Sequence, residues 1–324
     1  MLVTKNSVHI TILLALCTMV LAVFPSYSQT VCEETQGRVD RSYYTAVQTQ
    51  MAYSVYVPPC YDDSQNTYPV IYLMHGSTED DGHWLRLGMV DLLDESITSG
   101  QIPPVIAVFP FGNWMSNENA FDREGWGEVF VNEVMPRVED AYRVDAQRES
   151  RVIGGISRGG FWAFHIALRY PDLFSALGGH SAFFDEYHAS AEYNPLDLIE
   201  TIDTDQNLRI WLDRGGADYA EPGLDLMHFR LEALDIPHAY VVSTNGQHNN
   251  QYWSQHLAAY LEFYTAEWQP QQAPTIFATN TPVPTPLRSV TDLSQGVTLF
   301  VPAVVFNSLE SLITRADLQN ILDG

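Results

Sequence analysis

The segment Gly155-Ile156-Ser157-Arg158-Gly159 sets a hydroxyl two residues from a glycine on either side. The apolar pair Val152-Ile153 precedes it, and a helix-like run follows to Tyr170, stopped by Pro171. Strand, tight turn and helix in that order are the setting that lifts a serine out of the backbone as a nucleophile. A serine on so tight a turn takes strained backbone angles, so the flanking positions must lack side chains, and Gly155 and Gly159 meet that need. The following helix directs its N-terminus at the serine oxygen, where it stabilises developing negative charge. A glycine-rich connection with an incidental serine would read the same locally, so the rest of the chain has to supply the partners.

A serine nucleophile needs a base, an orienting acid and an oxyanion hole. With this motif the expected chain order is serine, acid, histidine, the partners lying on loops after later strands. Of the 10 histidines, His248 in Gly246-Gln247-His248 stands after the last expected strand and is the candidate base. His75 and His180 follow strands that flank the serine turn, which makes them candidate pocket-lining residues; His238 and His256 read as structural. Two acids compete after the strand Leu208 to Leu212. Asp213 at the strand end could cap it or pair with Arg214, whereas Asp218, beyond Gly215-Gly216, has the reach toward His248 and is favoured. The oxyanion donors are the backbone N–H groups of Arg158 and of Ser77 in His75-Gly76-Ser77, where Gly76 would permit close approach of the backbone. A metal alternative built on Glu79-Asp80-Asp81 and His83 lacks ligand spacing, and no cofactor is expected.

These groups need a scaffold. Tyr43 to Gln50 and Met51 to Val57 carry the β-branched and aromatic residues of strands, and Tyr68 to Met74 is apolar throughout, as a strand buried on both faces is. Leu85 to Ser99 has helical spacing up to Gly100, Val105 to Phe109 reads as a strand, and Glu128 to Tyr142 as a helix broken or kinked at Pro136. Phe174 to Ser181, Leu208 to Leu212 and His238 to Ser243 read as strands, Leu224 to Leu234 and Trp253 to Trp268 as helices. Strands alternating with helices imply a mostly parallel central sheet with helices on both faces. Between Phe111 and Trp126 runs a long aromatic and polar loop, and such a loop in a compact domain usually covers something functional; Trp114 and Trp126 are its candidate substrate-binding residues.

The ends differ from the middle. Residues 1–28 hold Lys5, an apolar run from Ile10 to Phe24 and Pro25-Ser26-Tyr27-Ser28, the pattern of an export signal cut after Ser28; the run is short for a membrane anchor. Removal leaves Cys32 and Cys60, which an oxidising compartment would let pair, two free thiols being the alternative. Residues 29–268 form the expected catalytic domain, 269–297 a Pro- and Thr-rich linker, and 298–324 a tail whose apolar run Thr298 to Phe306 is too short to span a bilayer. Cell-surface attachment through that tail is one reading of it. The formal net charge is −24 and Lys5 is the only lysine in the 324 residues, a balance that repels nucleic acid and anionic membranes.

Tyr68 to Ser77, the block from Gly100, Gly155 to Gly160, Tyr170 to Phe174, Gly215 to Asp218 and Gly246 to His248 occur in the order of the putative-esterase family, which the chain resembles over roughly residues 40 to 268. That family is similar to esterase D and includes feruloyl and acetyl-xylan esterases, siderophore-ester hydrolases and mycolyltransferases. The resemblance implies an α/β-hydrolase fold, Ser157 as nucleophile, Asp218 as acid, His248 as base, and Ser77 and Arg158 N–H groups in the oxyanion hole. Gln247 departs from it, because many members have a second glycine before the histidine. The expectation is a secreted serine esterase acting on an ester substrate of the acylated-carbohydrate kind, with no membrane span in the mature chain. An acyltransferase of the mycolyltransferase type and a non-catalytic binding protein on the same fold are the alternatives.

Overall fold

Val70–Met74 (β3) alternates its side chains between two cores: Val70, Tyr72 and Met74 enter one, and Ile71 and Leu73 enter the other. This strand is therefore apolar throughout, and helices must cover both faces of its sheet. The computed structural model describes residues 32–203 and 207–268. The expected export segment 1–28, the linker 269–297 and the tail 298–324 lie outside the described residues.

Eight strands form one sheet in the order β1-β2-β4-β3-β5-β6-β7-β8. The others are β1 (Arg38–Ala46), β2 (Thr49–Val57), β4 (Ile106–Phe111), β5 (Arg151–Ile156), β6 (Ala176–His180), β7 (Arg209–Gly215) and β8 (Ala239–Ser243). Strand β2 runs antiparallel to β1 and β4, and from β4 to β8 every pairing is parallel. On the face of Ile71 and Leu73 lie α1 (His83–Leu87), α2 (Met89–Thr98) and α8 (Asn250–Thr265), which contribute Trp84, Leu93 and Tyr260 to that core. On the other lie α3 (Trp126–Val129), α4 (Met135–Ala141), α5 (Arg158–Arg169), α6 (Pro195–Leu198) and α7 (Glu221–Ala233), contributing Trp126, Phe161, Phe164 and Leu224. The expected mostly parallel sheet, covered on both faces, is the observed one.

Three boundaries depart from the sequence reading, each for a local reason. The first strand ends at Ala46, not Gln50, because Val47 and Gln48 both take positive φ (47° and 61°) and turn the chain into β2. The helix expected over Leu85 to Ser99 is two helices, since Gly88 at φ 101° ends α1 and starts α2. Ahead of Pro136, residues Phe130–Val134 form a π-helical turn between α3 and α4; proline brings no N–H and crowds the carbonyl four residues earlier, so the turn widens. Cys32 and Cys60 are joined in a disulfide that ties the segment before β1 to the loop after β2.

Candidate active site

Ser157 is the single residue between β5 and α5, with φ 56° and ψ −117°. A Cβ on Gly155 would stand 2.3 Å from the carbonyl carbon of Gly159, and one on Gly159 would stand 2.5 Å from the His75 oxygen. Neither position can carry a side chain, so the two glycines make this turn possible. The Ser157 N–H donates to the His180 carbonyl at the end of β6 (2.9 Å). Its own carbonyl accepts from Phe161 and Phe183, which closes the turn from both sides.

Asp218 and His248 come from adjacent loops that touch through glycine. A Cβ on Gly215 would lie 2.1 Å from the backbone of Gly246, and the Ala217 N–H donates to the Gly246 oxygen (2.9 Å). That contact brings the loop after β7 against the loop after β8. His248 Nδ1 lies 2.7 Å from Asp218 Oδ1, and His248 Nε2 lies 2.9 Å from Ser157 Oγ. A carboxylate only accepts, so Nδ1 carries the proton and the lone pair of Nε2 faces the serine hydroxyl. Burial would raise the pKa of Asp218, but hydrogen bonding to His248 and to the Ala220 N–H helps to outweigh it and holds the carboxyl below its usual range. Tyr219 lies along the His248 ring (4.1 Å) and Trp253 meets it edge-on (5.1 Å). A hydroxyl, an imidazole of fixed tautomer and a buried carboxylate in line can move a proton off the serine as it attacks a carbonyl carbon.

Arg158 opens α5, so its N–H has no acceptor within the helix. Ser77 follows Gly76 just past β3. A Cβ on Gly76 would meet only ordinary contacts with the rest of the protein (3.7–3.8 Å).

The other expected binding residues sit differently. His75 is buried: its Nδ1 bonds the Gly76 oxygen (2.7 Å) and its Nε2 accepts from the Gly112 N–H (3.0 Å). Burial lowers its pKa to about 4, so the ring is neutral and holds the backbone rather than facing a pocket. His180 is wholly buried between Asp213 Oδ1 (2.7 Å) and the Tyr264 hydroxyl (2.8 Å). Asp213 takes further bonds from Trp211 Nε1 and from the hydroxyls of Tyr252 and Tyr260. It does not pair with Arg214, which turns instead to Asp225 and Glu221. Trp126 packs in the core beside Phe130. Of the four, only Trp114 is exposed, its indole N–H bonded to Thr49.

The Arg158 side chain is buried and bonds the Ser116 and Glu118 oxygens, Asn119 Oδ1 and His188 Nε2. Burial lowers its pKa to about 10. It fastens both the 112–125 loop and the 185–193 loop to the serine turn. Between these loops opens a cavity of about 730 Å³ lined by Asn119, Phe121, Asp122, Tyr187, His188 and Tyr193, with Phe121 and Tyr193 stacked at 5.2 Å. The acids of the metal alternative are engaged elsewhere: Glu79 and Asp80 with Arg86, Asp81 with Arg41 and Ser54. Among the described residues no cluster of three or more His, Cys, Asp or Glu is placed to hold a metal, and no helix is long and apolar enough to cross a membrane.

This sheet, with a serine between β5 and α5 and an acid and a histidine after β7 and β8, defines an α/β-hydrolase. A ferulic acid esterase structure superposes with TM-score 0.63 at 24% identity, covering 72% of this chain and 98% of that one. An S-formylglutathione hydrolase from Staphylococcus aureus superposes with TM-score 0.61 at 16% identity, covering 71% and 99%. The "Putative esterase" family model matches residues 45–264, and the chain belongs to that family. The chain is 31% identical over 136 residues to an endo-1,4-beta-xylanase/feruloyl esterase of Xylanibacter ruminicola, and 33% over 135 residues to an esterase of Mycobacterium tuberculosis. Those matches take in 39% and 40% of this chain but span only 18% and 28% of the two relatives.

Proposed function

We propose that the chain is an exported serine carboxylic ester hydrolase of feruloyl-esterase type, with Ser157 as nucleophile, His248 as general base and Asp218 as its orienting acid. The observation that carries the reading is the continuous line from Asp218 Oδ1 through His248 to Ser157 Oγ, with links of 2.7 and 2.9 Å. His248 takes the serine proton as Oγ attacks the ester carbonyl carbon, and the N–H groups of Arg158 and Ser77 receive the oxyanion. The protonated imidazole then gives its proton to the departing alkoxide. Water, deprotonated by the same histidine, hydrolyses the acyl-enzyme and restores Ser157.

An acylated carbohydrate is the substrate class that fits the surroundings. Acidic and amide side chains beside aromatic faces in the cavity of Asn119, Phe121, Asp122, Tyr187 and Tyr193 suit a neutral polyol, and the relative from Xylanibacter ruminicola carries a xylanase name beside its esterase name. Export is supported by the composition of residues 1–28 and by the Cys32–Cys60 disulfide, a bond that persists in oxidising compartments. The test is a hydrolysis panel of p-nitrophenyl acetate, methyl ferulate and acetylated xylan, each run with wild type and Ser157→Ala. Loss of turnover in the variant is expected, with methyl ferulate cleaved by wild type. Activity kept by Ser157→Ala would overturn the serine assignment.

A further inference from the structure

We propose that His83 is a positioning residue for the oxyanion hole, fixing the His75–Gly76 peptide that leads into the Ser77 donor and coupling it to the loop that carries the base. The inference rests on the roles given above to Ser157, His248 and the Ser77 N–H.

Gly76 is the loosest joint in the apparatus. Glycine reaches the widest range of backbone angles, and the space around its α-carbon is open enough for a Cβ, so sterics do not set its conformation. Hydrogen bonds set it. His83, the first residue of α1, is buried; its Nδ1 accepts from the Gly76 N–H (3.3 Å) and its Nε2 meets Asn250 Oδ1 (3.0 Å). An N–H on one side and an amide oxygen on the other leave one tautomer, with the proton on Nε2. His75 takes the opposite tautomer, donating from Nδ1 to the Gly76 oxygen and accepting at Nε2 from Gly112. Two neutral rings thus hold the two peptide planes that meet at the Gly76 α-carbon. A trans peptide is planar, with C=O and N–H pointing opposite ways, so holding the Gly76 oxygen aims the Ser77 N–H away from it. His75 alone secures one plane; His83 secures the other, and only both together set φ and ψ of Gly76.

The second contact of His83 reaches across the site. Asn250 is the first residue of α8, two places after His248. The His83 ring also stands edge-on to Trp253 (5.8 Å), which itself stands edge-on to His248 (5.1 Å). One imidazole therefore references the oxyanion donor and the general base to each other. The sequence offered His83 only as a metal ligand.

The experiment exploits the two ring nitrogens separately. An asparagine amide takes the place of Nδ1 and a glutamine amide the place of Nε2, so His83→Asn keeps an acceptor for Gly76 while His83→Gln keeps only the link to Asn250. The readouts are kcat and KM on p-nitrophenyl acetate, the inhibition constant of a trifluoromethyl ketone, and the active fraction by fluorophosphonate titration. For His83→Ala, kcat per titrated site is expected to fall about tenfold to a hundredfold, less than the 10²–10³ typical of deleting a donor outright, with KM nearly unchanged. Ketone affinity should weaken by a similar factor, because the hemiketal oxyanion uses the same donors. His83→Asn should recover most of the loss and His83→Gln little of it. Unchanged kcat and ketone affinity, or equal recovery by the two amides, would overturn the proposal. If His83→Ala does not fold, the Asn-against-Gln comparison carries the test. Ser157→Ala is run alongside: turnover surviving there sinks the underlying reading, whereas its loss beside wild-type behaviour of the His83 variants sinks this inference alone.

Discussion

Replacing Ser157 by glycine should make the protein more stable than replacing it by alanine. Both changes delete Oγ and its bond to His248 Nε2, so their difference isolates the backbone. At φ 56° and ψ −117°, Ser157 occupies a region that residues with a Cβ avoid, at a cost of about 1–3 kcal/mol. Alanine keeps that strain and glycine relieves it. Glycine loses about 0.5–1 kcal/mol through the greater freedom of its unfolded chain. The balance favours Ser157→Gly over Ser157→Ala by up to about 2.5 kcal/mol, or up to about 10 °C in melting temperature for a domain of this size. Paired calorimetric scans of the two inactive variants at pH 7 measure it. A glycine variant that melts with or below the alanine variant would refute the claim that the turn stores strain.

Further outcomes follow from the same geometry. Asp218→Asn should cut kcat by about 10⁴ with little change in KM, because an amide that donates to Nδ1 turns the lone pair of Nε2 away from the serine; steady-state kinetics on p-nitrophenyl acetate check this. Burial lowers the pKa of His75 and of His165 to about 4, against 6.5 for the free side chain, so the unfolded chain takes up protons below pH 6.5 that the folded one refuses. Stability should be intact above pH 6.5 and fall between there and pH 4, by up to about 3 kcal/mol per ring, in urea melts at stepped pH. Reducing the Cys32–Cys60 bond, which closes a sequence separation of 28, should cost about 3–4 kcal/mol in the chain-entropy account, read as a lower melting temperature in dithiothreitol.

The serine turn and the parallel sheet were legible because each leaves a short-range mark: glycines at fixed offsets, and apolar runs that end at turn residues. His248 and Asp218 were legible by chain order, which the topology then turns into proximity. Side-chain direction was not legible. His75 follows β3, as read, while His180 ends β6 rather than following it; both strands flank β5, but the rings turn inward to bond Gly112 and Asp213, partners 37 and 33 residues away. The same holds for Arg158, whose partners lie on two loops that the sequence joins to nothing. A buried arginine that bonds backbone carbonyls has no periodicity to betray it. Breaks such as Gly88 carried a visible residue, and what the sequence lacked there was its φ.

The hydroxyls of Tyr252, Tyr260 and Tyr264 meet the buried Asp213–His180 pair from one side of α8. Each residue of rotation turns a helix by about 100°, so a slip of one place would strand all three phenols against the apolar sheet. Grease alone would tolerate such a slip; this helix has an angular index. From Tyr252 to Tyr264 the index runs about 18 Å along the axis, and His248 hangs from its near end. The imbedded polar pair thus acts as a vernier for the imidazole, its calibration marks lying mostly at the far end of the helix, away from the chemistry they adjust.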